Sequence, residues 1–549
     1  MTEQSSLLAR LWQPGIVLVA LILSIPALVI AGFVFEPSGE NWEHLKQTVL
    51  PDYLLNSALL TLGVAIGTLA IGVSTAWLTA MCRFPGKRVF VWLLLLPLAM
   101  PAYIIAYTYT GMFDFAGPVQ TMLREWTGWG YGDYYFPEIR SLGGAITMLS
   151  LVLYPYVYLL ARAAFLEQSI CVLEVSRTLG CGAWCSFYRV ALPLARPAIV
   201  AGLSLALMET LADYGTVSYF GLGVFTTGIF RTWFGMGDSV AAAKMAGLLL
   251  MFVFTLVIIE RLSRRQAKYH HTTNKYTQLP QYPLRGGLAV LAFLVCLLPV
   301  AAGFLLPAGQ LLAWAAQTYQ EMVDDSFLRL TLHTVLLGLA TALISVMLAL
   351  FLAYGRRVLK SKQVFASIRI AAIGYAIPGT VIAVGVIIPF AWMDNTLDSF
   401  MREHFDVSTG LILSGTLFAL MFAYLVRFLA VSLQTVESGL DKIKPSMDDA
   451  ARSLGMKPRE TLFKVHMPLM KGSLLTALLI VFVDVMKELP ATLILRPFNF
   501  NTLAVRAFEL ASDERLADSS TAALMIVAVG LLPVIYLSRS ISQSRAGSS

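Results

Sequence analysis

Glu209 and Asp213 stand four residues apart in an apolar stretch, and Asp484 and Glu488 repeat the arrangement 275 positions later. A spacing of four puts both carboxylates of a pair on one face of a helix. Their hard oxygen donors suit a hard cation. Counted from Pro197 and Gly472, the first acid of each pair is about 18 Å along a helix and the second about 24 Å, at ~1.5 Å per residue. A charge at mid-bilayer costs at least about 2.5–3.5 kcal/mol on insertion scales, so such residues face a cavity or a partner. Converging across a two-fold axis, the four acids make a cation pathway. Neutralised by Lys487 or by a loop arginine, they make a structural gate. Both readings stand open, and no metal site is assigned. Lys487 has no twin, since its counterpart is Ala212, which points to an asymmetric local pair.

A second repeated constellation is polar. Glu174-Val175-Ser176 is followed by Gly180 and by Val190-Ala191-Leu192-Pro193, while Asp449-Ala450-Ala451 is followed by Gly455 and by Val465-His466-Met467-Pro468. Gly455 less Gly180, and Pro468 less Pro193, both give 275. Each stretch reads as a short helix with small residues on one face. Its glycine can take positive φ and turn the chain. A proline then precedes re-entry into apolar sequence. A short helix of this kind, held away from the membrane, is a knob suited to a groove on another protein. The alternative is a pair of surface helices without a partner, which leaves the matched spacing unexplained.

The elements that must position these residues are membrane helices. The 549-residue chain is 57% hydrophobic and only 13% charged, far from the quarter charged expected of a soluble domain. Twelve apolar runs are long enough to span a bilayer. In the first half they cover 14–35, 57–81, 89–110, 142–164, 198–219 and 240–260; in the second, 287–308, 330–354, 368–392, 409–434, 473–495 and 520–538. With the N-terminus inside, Lys and Arg collect in the cytoplasmic segments and Asp and Glu outside, as the positive-inside rule requires. The net charge of +7 thus describes topology, and no basic face with interleaved aromatics suggests nucleic acid. Both termini are expected in the cytoplasm. The first run is too long and too poorly flanked for a cleaved signal peptide.

The offset of 275 also carries Gly63 onto Gly338 and Arg231 onto Arg506. A single offset that aligns loops, spans and charges means a duplicated unit. Six spans per unit is an even number, so the halves run parallel. The expected fold is an all-α polytopic membrane protein of two tandem six-helix repeats: residues 1–260, a basic cytoplasmic linker at 261–285, and residues 286–549. Pro97 and Pro101 interrupt the third span, Pro378-Gly379 the ninth, and Gly63-x3-Gly67 lies in the second; close packing is the favoured reading of all of them. The five cysteines fall in spans or cytoplasmic loops and are expected reduced. Neither Cys181-x3-Cys185 nor His270-His271 has the companions a metal site needs.

Acidic-Ala-Ala, three residues, Gly, nine residues, then Ile/Val-x-Leu-Pro resembles the EAA loop of permease subunits of bacterial ABC importers. The first loop departs with Val175-Ser176, and the second with Asp449 and Met467. The resemblance covers the whole chain and implies a type I permease fold in the bacterial inner membrane. It implies two ATPase subunits docked on the cytoplasmic loops through Glu174, Ser176, Gly180 and Pro193, and through Asp449, Ala450, Ala451, Gly455 and Pro468. It further implies a soluble substrate-binding protein at the outer face, to which Arg231 and Arg506 are candidate contacts, solvated charges being the alternative. ATP and Mg would sit on the partner subunits, with no cofactor in this chain. The absence of a G-x-x-x-x-G-K-[ST] loop agrees. Met486 to Thr492, Leu495 to Phe500 and Glu509 to Glu514 are similar to the ferric-iron branch, with thiamine or a polyamine as alternatives.

Two rivals from other classes remain. A cation-coupled secondary transporter also has two parallel halves, but would work without ATPase subunits. A haem-bearing membrane reductase needs paired axial ligands, whereas only His333 of the six histidines lies clearly within a span.

Overall fold

The computed structural model describes residues 3–37, 39–130, 132–167, 183–265, 281–359 and 361–543. Among them, ten helices are long and apolar enough to cross a membrane, or up to twelve if each of two sharply bent pairs is one span. We label the principal helices α1 (Glu3–Phe33), α2 (Leu50–Met81), α3 (Ala102–Phe113), α4 (Leu142–Glu167), α5 (Leu192–Ala212), α6 (Ser239–Arg265), α7 (Gly287–Met322), α8 (Asp325–Leu359), α9 (Gly379–Phe405), α10 (Leu417–Asp441), α11 (Lys471–Met486) and α12 (Leu516–Gln543). The β-structure among the described residues is one parallel pairing of two-residue strands, Cys82–Arg83 with Tyr282–Pro283. The fold is all-α, as expected.

Prolines set where the third and ninth spans break. Pro101 and Pro378 each stand immediately before a helix, and the residues ahead of them, Met100 and Ile377, are extended. Proline forces that extension on its predecessor and, lacking an N–H, suits a helix start. The third span is therefore not one rod over 89–110. Lys87–Ala99 and Ala102–Thr127 meet at 91°.

The fifth and eleventh spans also end earlier than the apolar runs do. α5 stops at Ala212 and a separate helix covers Gly215–Tyr219; α11 stops at Met486 and a separate helix covers Pro490–Leu495. Asp213 and Glu488 lie in these breaks. Neither therefore shares an unbroken helix face with Glu209 or Asp484, which corrects the spacing argument.

The chain packs as two compact units, each drawing on both sequence halves. One contains Met1–His44, Gly228–Leu250 and Val323–Arg506; the other contains Leu45–Thr227, Met251–Met322 and Ala507–Ser549. In the first, α1 joins α8 and α9: the Trp12 ring stacks on Phe351 with centroids 5.7 Å apart, and its Nε1 donates to the Phe351 carbonyl at 3.2 Å. In the second, α2 packs along α4 through Gly63, Gly67 and Gly72. A Cβ at Gly72 would lie 2.7 Å from Val157 Cβ, and one at Gly63 or Gly67 would strike Ile146 or Ser150. Close packing is thus the role of Gly63-x3-Gly67.

Cys82 and Cys296 are free and buried in the second unit. The expectation of reduced thiols does not extend to Cys185, which is disulfide-bonded.

Candidate functional site: the cytoplasmic loop and the intramembrane carboxylates

The loop between α10 and α11 builds a short exposed helix, Pro445–Ser453. Pro445 opens it, where the missing N–H costs nothing. Gly455 closes it at φ +78°. The Gly455 N–H reaches the Arg452 carbonyl and the Met456 N–H the Ala451 carbonyl, both at 3.0 Å. This pair of bonds is the Schellman arrangement, which calls for a residue at ease with positive φ.

The motif residues divide by face. Ala451 is buried; Asp449, Ala450 and Gly455 are exposed. Leu454, an apolar side chain on a polar loop, is 81% exposed, and Met447 is exposed beside it. Asp449 makes only a loose pair with Arg452, at 3.6 Å. Pro468 is exposed at the far end of the loop.

The buried face is bolted to α8. Arg357 donates from Nε to Asp448 Oδ2 at 2.8 Å, from Nη1 to the Leu440 carbonyl at 2.5 Å and from Nη2 to the Ile443 carbonyl at 2.8 Å. His466 Nε2 lies 2.6 Å from the other Asp448 oxygen. Burial holds this imidazole below its ordinary pKa despite the carboxylate, so the ring is neutral at pH 7 and its Nε2–H donates. The Tyr354 hydroxyl donates to the Pro458 carbonyl at 2.7 Å, and Arg356 pairs with Glu437 at 2.6 Å.

Glu174, Ser176 and Gly180 of the first loop lie outside the described residues. Beyond them, Ala183–Ser186 is a helix of four residues and Phe187–Ala191 a wide π-type turn, leading into α5 with Pro193 exposed. Pro458–Thr461 and Leu462–His466 repeat both segments in the second loop, each 275 positions on. The duplication thus extends to an unusual backbone turn.

Asp213 and Glu488 serve as helix caps. Asp213 accepts from the N–H groups of Thr216 and Val217, at 3.0 and 3.2 Å, and from the Thr216 hydroxyl at 3.0 Å. Glu488 accepts from the N–H groups of Ala491 and Thr492, at 3.0 and 3.1 Å, and from the Thr492 hydroxyl at 2.6 Å. Each acid ends one helix and caps the next, satisfying N–H groups that have no partner within the helix. The two differ in charge balance. Arg427 on α10 pairs with Glu488 at 3.0 Å, the two side chains being 10% and 2% exposed. Gly379 opens α9 beside this pair, and a Cβ there would lie 2.8 Å from Glu488 Oε1. Asp484 pairs with Lys487 at 2.9 Å, the local pair expected. Glu209 is half-buried on α5. Glu209 and Asp213 fall in one compact unit, Asp484 and Glu488 in the other. Arg231 and Arg506 are both exposed. Among the described residues, no three His, Cys, Asp or Glu side chains gather as a metal site would require.

The sequence reasoning missed Arg357, Asp448, His466 and Arg427. An arginine within an apolar run was a readable signal for Arg427. For Asp448 the signal was helical spacing, since it shares a face with the buried Ala451 three residues on.

Residues 69–268 and 345–545 each match the family described as binding-protein-dependent transport system inner membrane component. The chain belongs to this family. It is similar to the Fe(3+)-transport system permease protein of Haemophilus influenzae, at 25% identity over 95% of this chain and 97% of that one. A putative ferric transport system permease protein of the same organism matches at 22% identity over 82% of this chain and 71% of its own. The molybdenum transport system permease protein of Escherichia coli matches at 28% identity over 31% of this chain and 74% of its own. This permease is therefore a multi-pass inner-membrane transport subunit of a binding-protein-dependent ABC importer, built from two tandem copies of the family unit.

Proposed function

We propose that this permease carries ferric iron, delivered by a soluble binding protein at the outer face, into the cytoplasm, with its two loops docked on two separate ATPase subunits. In this reading both termini are cytoplasmic, and ATP and Mg belong to the ATPase subunits. The observation that carries the docking role is the exposed knob of Met447, Asp449, Ala450 and Leu454 on a helix whose other face is fastened to α8. A surface helix with no partner has no need of an 81% exposed leucine beside so firm an anchor. Ferric iron is supported by the ferric relatives that match across both halves. The molybdenum relative matches less than a third of the chain.

The capping and ion-pair geometry favours the gate for Glu488, since its carboxylate is already occupied by Arg427 and two N–H groups. Asp213, capped but with no arginine bonded to it among the described residues, is the better candidate for contact with the cargo.

The test is uptake of radioactive ferric iron into proteoliposomes holding the permease, its co-purified ATPase subunits and an iron-loaded binding protein. Uptake should require all three together with ATP. ATP hydrolysis stimulated by a binding protein charged with another substrate, without iron movement, would overturn the iron assignment and leave the importer reading. Uptake without any ATPase would overturn both.

A further inference from the structure

A short helix, Lys362–Ala371, follows α8, and its two faces differ in kind. Val364, Ser367, Ile368 and Ala371 are buried, and the Gln363 side chain accepts from Gln13 on α1. Gln13 lies at the start of the apolar stretch Trp12–Phe33, so the helix is level with a membrane boundary, where side chains that are part apolar and part charged collect. The other face presents Lys362, Phe365, Arg369 and Ile370, all exposed. The Arg356 and Arg369 guanidinium carbons lie over the Phe365 ring, 5.4 and 5.1 Å from its centroid, within cation–π range. Arg356 is paired with Glu437, whereas Lys362 and Arg369 have no carboxylate partner among the described residues. Three basic side chains thus gather against one acid. The positions 275 earlier are Lys87, Phe90 and Leu94. There Phe90 and Leu94 are buried, and Phe293 of α7 meets the Phe90 ring at 5.0 Å. The second copy leaves its ring 45% exposed and sets an arginine where the first has a leucine.

We propose that Lys362, Phe365 and Arg369 form a binding site for an anionic phospholipid. Its phosphate is held by the two basic heads, and its glycerol and upper acyl carbons cover Phe365 and Ile370. The charge complementarity is direct, since the surplus cations of this face have no acid to meet. A free anion would satisfy them but leave the exposed ring and isoleucine uncovered. A lipid does both, because its charged and apolar parts are joined in the order that a boundary helix presents them. The inference is independent of the cargo and of the docking role of the loops.

The experiment is photocrosslinking of the permease, with its co-purified ATPase subunits, in nanodiscs of phosphatidylethanolamine containing a minor share of phosphatidylglycerol. The photocrosslinker p-benzoylphenylalanine replaces Ala366, which is exposed beside Phe365, and mass spectrometry identifies the adducts. The ratio of phosphatidylglycerol to phosphatidylethanolamine among them should exceed the bulk ratio by about tenfold or more. Arg369→Gln and Lys362→Gln should each lower that excess about fivefold, as one basic charge near an anionic surface is worth about 1 kcal/mol. Arg369→Lys keeps the charge and should keep most of the excess, which separates headgroup binding from a general loss of fold.

Adducts in the bulk ratio would overturn the site, leaving an apolar contact with lipid that does not read the headgroup. Adducts to an ATPase subunit in place of lipid would overturn it in favour of a protein partner. Loss of the excess on adding inorganic phosphate, but not on adding chloride at the same ionic strength, would overturn it in favour of a free anion.

Discussion

At the scale of single residues, the same carboxylate position serves two electrostatic purposes. Glu488 is locked between Arg427 and two helix N–H groups, whereas Asp213, among the described residues, has the N–H groups without an arginine. Removing one partner of a buried pair leaves an uncompensated charge, at a cost of about 3–5 kcal/mol. Glu488→Gln should therefore lower the unfolding temperature of the purified permease markedly, and Arg427→Met combined with Glu488→Gln should restore most of it. Asp213→Asn keeps an acceptor oxygen and no arginine depends on it, so its stability loss should be about 1 kcal/mol, the ordinary value of a helix cap. Thermal unfolding in one detergent ranks the three, and a Glu488→Gln variant as stable as Asp213→Asn would contradict the gate. At Gly455 the constraint is φ, since nothing lies within 4 Å of an added Cβ. Gly455→Val forces a β-branched residue to positive φ, at about 1–3 kcal/mol. It should uncouple ATP hydrolysis from uptake while membrane insertion stays intact, which a flotation assay read beside transport would show.

Among the elements, the breaks matter more than the spans. α5 and α11 each stop at a carboxylate that starts the next short helix, and the third and ninth spans restart at a proline. Hydropathy reads these stretches as continuous because the residues on either side of each break are equally apolar. Their ends are decided by who supplies the hydrogen bonds. The α2 and α4 contact follows a different rule, with small residues that let backbones approach. Gly72→Leu places a side chain where Val157 already stands and should cost about 1–3 kcal/mol by overpacking. Val157→Ala in the same chain should return part of that loss. If Gly72→Leu leaves the melting temperature unchanged, the contact is looser than the structure indicates.

For the molecule as a whole, the repeat in the sequence and the unit in space are different divisions of the chain. α1 packs with α8 and α9, and α7 and α12 belong to the unit that holds α2 to α5. Neither sequence half contains a complete packing unit. Residues 1–260 or 286–549 expressed alone should therefore be degraded or aggregate, and the two co-expressed as separate chains should assemble and co-purify. A stable, monodisperse half on its own would contradict the interleaving.

The sequence alone determined the class, the duplication and the place of the second loop's turn. Apolar length forces spanning helices, one offset aligns two halves, and only a glycine is at ease where Gly455 stands. These are properties of composition and local conformation, which a one-dimensional pattern carries directly. What only the tertiary structure decided is which polar groups meet. Arg427 finds Glu488 across 61 positions, and Arg357 finds Asp448 across 91. No periodicity predicts such pairs, because each depends on how two helices rotate and cross as they pack. The same packing chose between Asp448 and Asp449, turning one inward to the bolt and leaving the other on the exposed face.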